Sequence, residues 1–263
     1  MSQPRHVGPF LSIVIPCYNE EKNLERGVLE EVHDYLRTQG YAWEVIVAND
    51  ESTDRSRQLI ERYVEGRPCF SLVDIRHGGK PAAVWAGIRQ ARGEIVLFTD
   101  MDQSTPLEEV EKLLPWYDQG CDVVIGSRGT GREGFSFVRR FGSAVFRTLR
   151  RLFLLRNISD TQCGFKSCRR QVALQVFPQL QFFKQKDRPT GWKVSAYDVE
   201  LLHLFEKAGY RLEEVEVAWL NRDQSVTKDE TGALARYLRE SVEMTREVLR
   251  VRVNELKGLY DDV

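Results

Sequence analysis

The stretch Gly93-Glu-Ile-Val-Leu-Phe-Thr-Asp-Met-Asp102 joins a short apolar, β-branched run to two carboxylates. A run of this length, bounded by glycine and polar residues, predicts a buried strand over residues 94–99. Asp100 and Asp102 then lie two positions apart just beyond the strand, where both can be directed toward one point. Carboxylate oxygens in this arrangement favour a hard divalent cation, Mg2+ or Mn2+, shared with a diphosphate.

The surrounding sequence repeats the same kind of run. Further strands are predicted at residues 11–16, 43–49, 70–75, 122–127 and 210–219, and helices at residues 20–37, 54–64, 81–92 and 106–119. A long amphipathic helix is predicted from residue 232 onward. Strands that alternate with helices predict an α/β fold, a mostly parallel, Rossmann-like sheet with helices on both faces.

Polar residues follow four of the predicted strands. They are Tyr18-Asn19-Glu20, Asp50-Glu51-Ser52, Asp100-Met101-Asp102 and Gly126-Ser127-Arg128. Ligands bind at the carboxyl ends of the strands in open α/β sheets, so the four clusters predict one site. Residues of these types also populate turns and helix caps, but four clusters at one edge favour the ligand.

Composition excludes several classes of protein. With 263 residues, of which 42% are hydrophobic and 29% charged, the chain can bury a full core. Its 38 Lys and Arg against 39 Asp and Glu leave no basic field for nucleic acid. Five scattered cysteines without a CxxC pair predict neither a disulfide framework nor a zinc site. No apolar run reaches membrane-spanning length, so we expect a cytoplasmic protein, peripheral at the membrane if it meets one.

An arginine-rich stretch runs between Arg132 and Arg156, where seven arginines accompany a single acid, Glu133. Apolar residues recur there at helical spacing, which predicts an amphipathic helix at a membrane surface, with Arg139 among its cations. The alternative is a helix packed on the core with a solvated cationic face. The preceding GTGREG, residues 129–134, formally matches a dinucleotide fingerprint, but its position in the chain favours a loop.

Five segments carry a resemblance to a known family. They are IPCYNEE (15–21), VANDESTD (47–54), Gly79-Lys80 with Ala82-Ala83, residues 93–102 and Gly126-Ser127-Arg128. Together they resemble the family-two glycosyltransferases, which have the GT-A fold, over roughly residues 11–219. DTQCGFK (160–166) and YDVEL (197–201) are most similar to the enzymes that transfer a sugar to polyprenyl phosphate, the dolichyl-phosphate glucosyltransferase group, with the mannosyl branch as its neighbour.

The resemblance implies a donor side and an acceptor side. It assigns to the nucleotide pocket Pro16, Tyr18, Glu20, Asp50 and Lys80. It implies that Asp50 holds the base, that Asp100 contacts the donor and that Asp102 holds the metal. Arg128 would face the acceptor phosphate or the donor diphosphate, and Asp198 the acceptor. We expect Arg139 and Lys228 to supply further cations for the acceptor phosphate.

Four positions depart from the family pattern. Asn49 and Glu51 stand where Asp-Asp-Gly-Ser would have a carboxylate and a glycine, and Pro81 replaces the second glycine of Gly-Lys-Gly. Ser104 stands where the mannosyl branch commonly has a metal-binding glutamine, which favours glucose over mannose.

These observations predict metal-dependent, inverting transfer of a hexose from a nucleotide sugar, UDP-glucose favoured, to polyprenyl phosphate. The alternatives are GDP-mannose as donor, a soluble acceptor, or a noncatalytic module that binds nucleotide sugars. Residues 1–220 would form the GT-A domain, and residues 221–263 a lid with Lys228 as its cation and a closing helix in the same unit. The sequence leaves open the oligomeric state and whether that helix docks on the core, dimerises or lies on a membrane.

Overall fold

The computed structural model describes residues 8–129, 158–184, 197–220, 222 and 233–263, of which residues 233–244 are described by their backbone alone. Seven strands form one sheet in this part of the chain. The strands are β1 (Leu11–Cys17), β2 (Trp43–Asp50), β3 (Phe70–Ile75), β4 (Ile95–Phe98), β5 (Val123–Ser127), β6 (Lys166–Arg169) and β7 (Leu212–Glu216). Their order is β3-β2-β1-β4-β6-β5-β7. Each predicted strand is present, although β4 and β7 are shorter than predicted at both ends.

One strand, β6, was not predicted. It runs antiparallel between β4 and β5, whereas the other neighbouring pairs are parallel. Its sequence, Lys-Ser-Cys-Arg, lacks the apolar run that is typical of a buried strand. The strand can nevertheless be buried, because its polar groups are satisfied inside the fold. The Ser167 hydroxyl, for example, donates to the Val124 carbonyl and accepts from the Tyr117 hydroxyl, at 2.9 and 2.7 Å.

Every helix predicted within the described residues is present but shorter, and two further helices, at residues 170–176 and 181–184, were not predicted. They are α1 (Glu21–Glu25), α2 (Val28–Leu36), α3 (Ser56–Val64), α4 (Lys80–Gln90), α5 (Val110–Leu113), α6 (Pro115–Asp118), α7 (Arg170–Val176), α8 (Gln181–Lys184), α9 (Tyr197–Lys207) and α10 (Ala233–Leu256). The predicted helix 20–37 is two helices because Gly27 adopts φ 86° between them. The predicted helix 106–119 begins as a 3-10 turn and divides at Pro115, which has no N–H to donate.

Two apolar layers cover the sheet, one on each face. Ile13 and Ile15 of β1 pack with α2, α3, α5 and α6, while Val14 between them packs with α4 and α7 to α9. Side chains of a strand alternate between faces, so β1 supplies both cores. The all-buried pattern of β1 is typical of a central parallel strand covered by helices on both sides.

The closing helix α10 docks on the core. Val248, Val251 and Tyr260 are buried in the layer that contains α9. The Glu200 carboxylate of α9 accepts hydrogen bonds from Arg250 at 2.8 Å and from Tyr260 at 3.0 Å. None of the helices in the described segments has the length and apolar content needed to cross a bilayer.

Several predictions concern segments outside the described residues. The arginine-rich stretch with Arg139 and most of the lid with Lys228 belong to this group. The division of the chain at residue 220 also stays a prediction.

Candidate active site at the carboxyl ends of the strands

The segments that follow β1 and β2 are joined to each other. Asn19, at φ 55°, accepts a hydrogen bond from the Thr53 N–H at 2.8 Å and donates its own N–H to Ser52 Oγ at 3.1 Å. The Glu20 N–H donates to Ser56 Oγ at 2.7 Å. Asparagine tolerates this left-handed conformation better than most residues, which explains its place in the turn. The two strand ends thus form one continuous wall of the candidate pocket.

Three residues that the resemblance assigns to the nucleotide pocket lie along this wall. Pro16 is the buried penultimate residue of β1 and pairs with Ala48 of β2. Tyr18 stacks on the His77 ring, with centroids 4.5 Å apart and planes inclined by 26°. Glu20 accepts a hydrogen bond from the Asn23 side chain at 2.6 Å and so also braces the start of α1.

Asp50 holds the loop that leads into α4. Its carboxylate is fully buried and accepts hydrogen bonds from the Gly78 and Gly79 N–H groups, at 2.7 and 2.9 Å. Its Oδ2 also lies 3.0 Å from His77 Nδ1. Burial raises the pKa of Asp50, although these donors and His77 act in the opposite direction. The carboxylate therefore positions residues 77–79, a role that the sequence did not reveal, and its contact with the base stays a prediction.

We expect Asp50→Ala to weaken nucleotide binding about tenfold or more, because two buried N–H groups lose their acceptor and the loop before Lys80 is released. Calorimetry with UDP-glucose measures the donor affinity. Asp50→Asn keeps one acceptor oxygen, so its donor affinity should lie between those of the wild-type chain and the alanine variant. Unchanged donor affinity in the alanine variant would show that Asp50 does not contribute to the nucleotide pocket.

The departures from the family pattern are accommodated in this wall. Asn49 is in register with Asp74 of β3, and its side-chain amide donates to the Asp74 carboxylate at 2.7 Å. An aspartate at position 49 would instead repel that carboxylate. Glu51 adopts φ 56°, the conformation that favours the absent glycine, and accepts from the His77 N–H at 2.9 Å. Pro81 lies in the first turn of α4, where a missing N–H costs nothing.

Asp100 and Lys80 form an ion pair at the end of β4. Burial would raise the pKa of Asp100, but Lys80, Lys166 and Arg128 lower it below its usual range. Burial likewise opposes the charge on Lys80, and Asp100 and Asp198 overcome it, so that the pKa of Lys80 is raised. Both groups are therefore ionised at neutral pH.

Gly164 gives the Asp100 carboxylate its space. A Cβ on Gly164 would lie 2.0 Å from Asp100 Oδ2 and 2.6 Å from its Cγ, so no other residue fits without moving Asp100. DTQCGFK, quoted above only for its resemblance, thus supplies a surface of the candidate site.

Gly164→Ala is expected to lower kcat at least tenfold, because Asp100 must rotate away from Lys80 and misplacement by about 1 Å can cost a hundredfold. Gly40→Ala is the matched control, since a Cβ there meets no atom within 4 Å. Initial rates with saturating substrates measure the effect. Equal rates for the two variants would show that the position of Asp100 does not limit catalysis.

Asp102 lies in the turn that follows. Its Oδ1 accepts from the Ser104 N–H at 2.8 Å, and its carbonyl accepts from the Arg26 guanidinium at 2.9 Å. No group of three His, Cys, Asp or Glu side chains able to hold a metal occurs among the described residues. Hard carboxylate oxygens without sulfur or imidazole fit Mg2+ or Mn2+, provided that the diphosphate supplies the remaining ligands. That Asp102 holds such a cation stays a prediction.

Lys166 of β6 was missed by the sequence analysis, and it anchors Asp198. Its side chain is only 2% exposed, and Nζ lies 2.8 Å from Asp198 Oδ1 while also donating to the Cys163 carbonyl. A buried lysine needs such partners because an unpaired charge in the interior is costly. Its position within DTQCGFK was the available signal, but the short polar strand concealed its burial.

Arg128, at the end of β5, forms a bidentate pair with Asp160. The two nitrogen–oxygen distances are 2.7 and 2.8 Å, and the Arg128 N–H donates to the same carboxylate at 3.0 Å. Burial would raise the pKa of Asp160, but Arg128 lowers it well below its usual range. The Arg128 guanidinium also lies over the Trp219 ring, 5.8 Å from its centroid. The sequence analysis selected Arg128 but missed Asp160.

The structure therefore brings together most of the predicted site. Three cation–carboxylate pairs meet at the strand ends, namely Lys80–Asp100, Lys166–Asp198 and Arg128–Asp160. Asp102 follows Asp100 by two residues, and its charge helps to raise the pKa of Lys80. Such an arrangement can bind phosphate oxygens through Lys80 and Arg128, while the carboxylates keep those cations in place.

The comparisons with known proteins place this site in a family. The sequence model described as Glycosyl transferase family 2 matches residues 12–177. The dolichyl-phosphate beta-glucosyltransferase of Drosophila melanogaster is 33% identical over 235 residues, which are 82% of this chain and 68% of that protein. The Homo sapiens protein of the same name is 30% identical over 269 residues, 95% of this chain and 77% of its own length.

Solved structures show the same fold at lower identity. A mannosyltransferase from Pyrobaculum calidifontis, in complex with GDP-Man and Mn2+, is 19% identical, with a TM-score of 0.60 over 92% of this chain and 65% of its own. Glucosyl-3-phosphoglycerate synthase from Mycobacterium tuberculosis, with Mn2+ and UDP, is 18% identical, with a TM-score of 0.58 over 96% and 86% of the two chains. The fold is thus the predicted GT-A fold, and the chain belongs to glycosyl transferase family 2.

Proposed function

We propose that this protein is a hexosyltransferase that moves glucose from a nucleotide sugar, UDP-glucose favoured, to dolichyl phosphate or another polyprenyl phosphate. The observation that carries the proposal is the meeting of two partly accessible cations, Lys80 and Arg128, at one edge of the sheet. Two anionic substrates, a diphosphate and a monophosphate, require cations on both sides of the sugar. The names of the relatives supply the sugar and the lipid.

The donor side lies along the wall formed by β1 and β2. Tyr18 stacked on His77 offers an aromatic surface for the base, and the loop held by Asp50 leads directly to Lys80. A divalent cation, Mg2+ or Mn2+, would be held by Asp102 and would stabilise the charge that develops on the departing nucleotide. The two solved neighbours are complexes with Mn2+, which supports a divalent cation in this protein.

The acceptor side lies around Asp198 and Arg128. A phosphate monoester is already anionic near neutrality, since its second pKa is about 6, so the acceptor needs orientation more than deprotonation. Lys166 holds the Asp198 carboxylate in place for that task. Asp100, Asp160 and Asp198 are each paired with a cation, which disfavours a covalent glycosyl-enzyme and favours a single displacement with inversion.

Ser104 supports glucose over mannose. Its hydroxyl accepts from the Arg222 N–H at 3.2 Å and its carbonyl from the Leu220 N–H at 2.7 Å. The residue therefore fastens the chain after β7 to the turn that carries Asp102. A metal-binding glutamine, as in the mannosyl branch, has no counterpart at this position.

A lipid acceptor implies that the enzyme works as a peripheral protein at a membrane surface, on the cytoplasmic side.

The test is a panel in which UDP-glucose, GDP-mannose and other UDP-sugars are each combined with a short polyprenyl phosphate or with 3-phosphoglycerate, with Mg2+ or Mn2+. We expect transfer from UDP-glucose to the polyprenyl phosphate. Transfer only to 3-phosphoglycerate would contradict the acceptor, and binding of nucleotide sugar without turnover would support the noncatalytic alternative.

A further inference from the structure

The outer face of α10 carries an apolar stripe. Leu249, Val253, Leu256 and Leu259 are 53, 45, 72 and 44% exposed. The first three are spaced by four and three residues, so they lie on one side of the helix, and Leu259 follows just after its end. The opposite side of the same helix is buried through Val248 and Val251. Four large apolar side chains exposed together mark an interaction surface more strongly than scattered ones do.

Cations flank this stripe on both sides. Arg246 lies three residues before Leu249, Arg252 three residues after it, and Lys257 four residues after Val253. Arg246 and Lys257 are exposed, and Arg252 is half-buried. None of the three forms an ion pair with a described side chain, so their charges remain available to a partner.

The acids of the same segment are directed elsewhere. Glu255 pairs with His203 and Lys207 of α9, at 2.8 and 2.9 Å. Glu247 pairs with Arg250 at 2.7 Å, and Asp261 with Lys207 at 3.1 Å. The cations therefore border the exposed apolar face, while most of the carboxylates are engaged by the body of the protein.

We propose that this face of α10, the stripe Leu249–Val253–Leu256–Leu259 with its three flanking cations, docks on an anionic lipid bilayer. An amphipathic helix with an apolar face bordered by Lys and Arg lies in the plane of the membrane interface, with its cations at the lipid phosphates. The inference does not depend on the nature of the sugar acceptor. It adds a second surface to the arginine-rich stretch for which membrane contact was predicted.

A second copy of the chain fits this face less well. A stable interface of standard size uses about 20–30 residues on each side, whereas the exposed stripe presents four apolar side chains. A two-fold interface would also place the Arg246, Arg252 and Lys257 flanks of the two copies close to each other, which costs free energy through like-charge repulsion.

The test uses the full chain and sedimentation with vesicles of phosphatidylcholine, with and without about 30% phosphatidylserine. Three variants are compared. The first replaces Leu249, Val253 and Leu256 by glutamine, the second is Arg246→Gln with Lys257→Gln, and the control is Arg62→Gln with Arg89→Gln. The control removes the same charge from exposed positions on α3 and α4.

We expect the wild-type chain and the control to bind the anionic vesicles equally. The apolar variant should bind at least tenfold more weakly, and the cation variant about thirtyfold more weakly at low salt with a smaller loss at high salt. Circular dichroism and turnover with a short, water-soluble acceptor should stay unchanged in all variants, which separates this inference from the proposed function. Wild-type affinity in the apolar variant would overturn it, and so would a wild-type dimer that the apolar variant abolishes in analytical ultracentrifugation.

Discussion

Asp102→Asn is expected to lower turnover about a hundredfold or more, because a neutral amide holds a divalent cation poorly and the cation contributes several kcal/mol at the departing diphosphate. Asparagine keeps the oxygen that accepts from the Ser104 N–H, so the turn itself should remain intact. Steady-state kinetics across a range of Mg2+ and Mn2+ concentrations provides the measurement.

Asp118→Asn is the matched control for this experiment, since it removes the same charge from an exposed position on α6. The Asp102 variant should also require a higher metal concentration for half-maximal rate, whereas the control should not. Full activity of Asp102→Asn at the metal concentration that suffices for the wild-type chain would show that Asp102 does not hold the metal.

Lys166→Met should lower the free energy of unfolding by about 3–5 kcal/mol, because it leaves the Asp198 carboxylate without its buried partner. The pair is well shielded, with the Lys166 and Asp198 side chains 2 and 16% exposed. Removing both partners, as in Lys166→Met with Asp198→Leu, should recover much of the loss, because no uncompensated charge remains. Urea unfolding of the single and double variants measures both values.

Arg169→Met provides the comparison on the same strand. Its pair with Glu94 is much more exposed, at 31 and 42%. Arg169 also donates to the Tyr117 carbonyl at 2.9 Å, so the expected loss is about 1–2 kcal/mol, below that of Lys166→Met. Equal losses for the Lys166 and Arg169 variants would show that the Lys166–Asp198 pair is not a buried anchor of the site.

The strands and the donor edge were predictable because their signals are local. β1 and β4 are apolar, β-branched runs bounded by polar residues, and this pattern is visible within about ten residues. The carboxyl ends of parallel strands meet at one edge, so Asp50, Asp100 and Arg128 could be grouped before any coordinates were known. The resemblance extended this grouping to Lys80 and Asp198.

The antiparallel strand β6 was not predictable in this way. Lys166 and Ser167 are polar, and their burial depends on partners 30 or more residues away, Asp198 for the lysine and Val124 and Tyr117 for the serine. Gly164 also gave no local sign of its role, because it lies just before β6 while Asp100 follows β4, far away in the chain.

The sequence by itself determined the alternation of strands and helices, the edge at which the site lies and the residue types available there, since periodicity and turn residues act within short stretches of chain. Only the tertiary structure decided which cation pairs with which carboxylate, that Asp50 holds the loop before Lys80, and that α10 docks with one face while leaving an apolar stripe exposed. Pairing and burial depend on distances between residues far apart in the chain, and the fold alone fixes those distances.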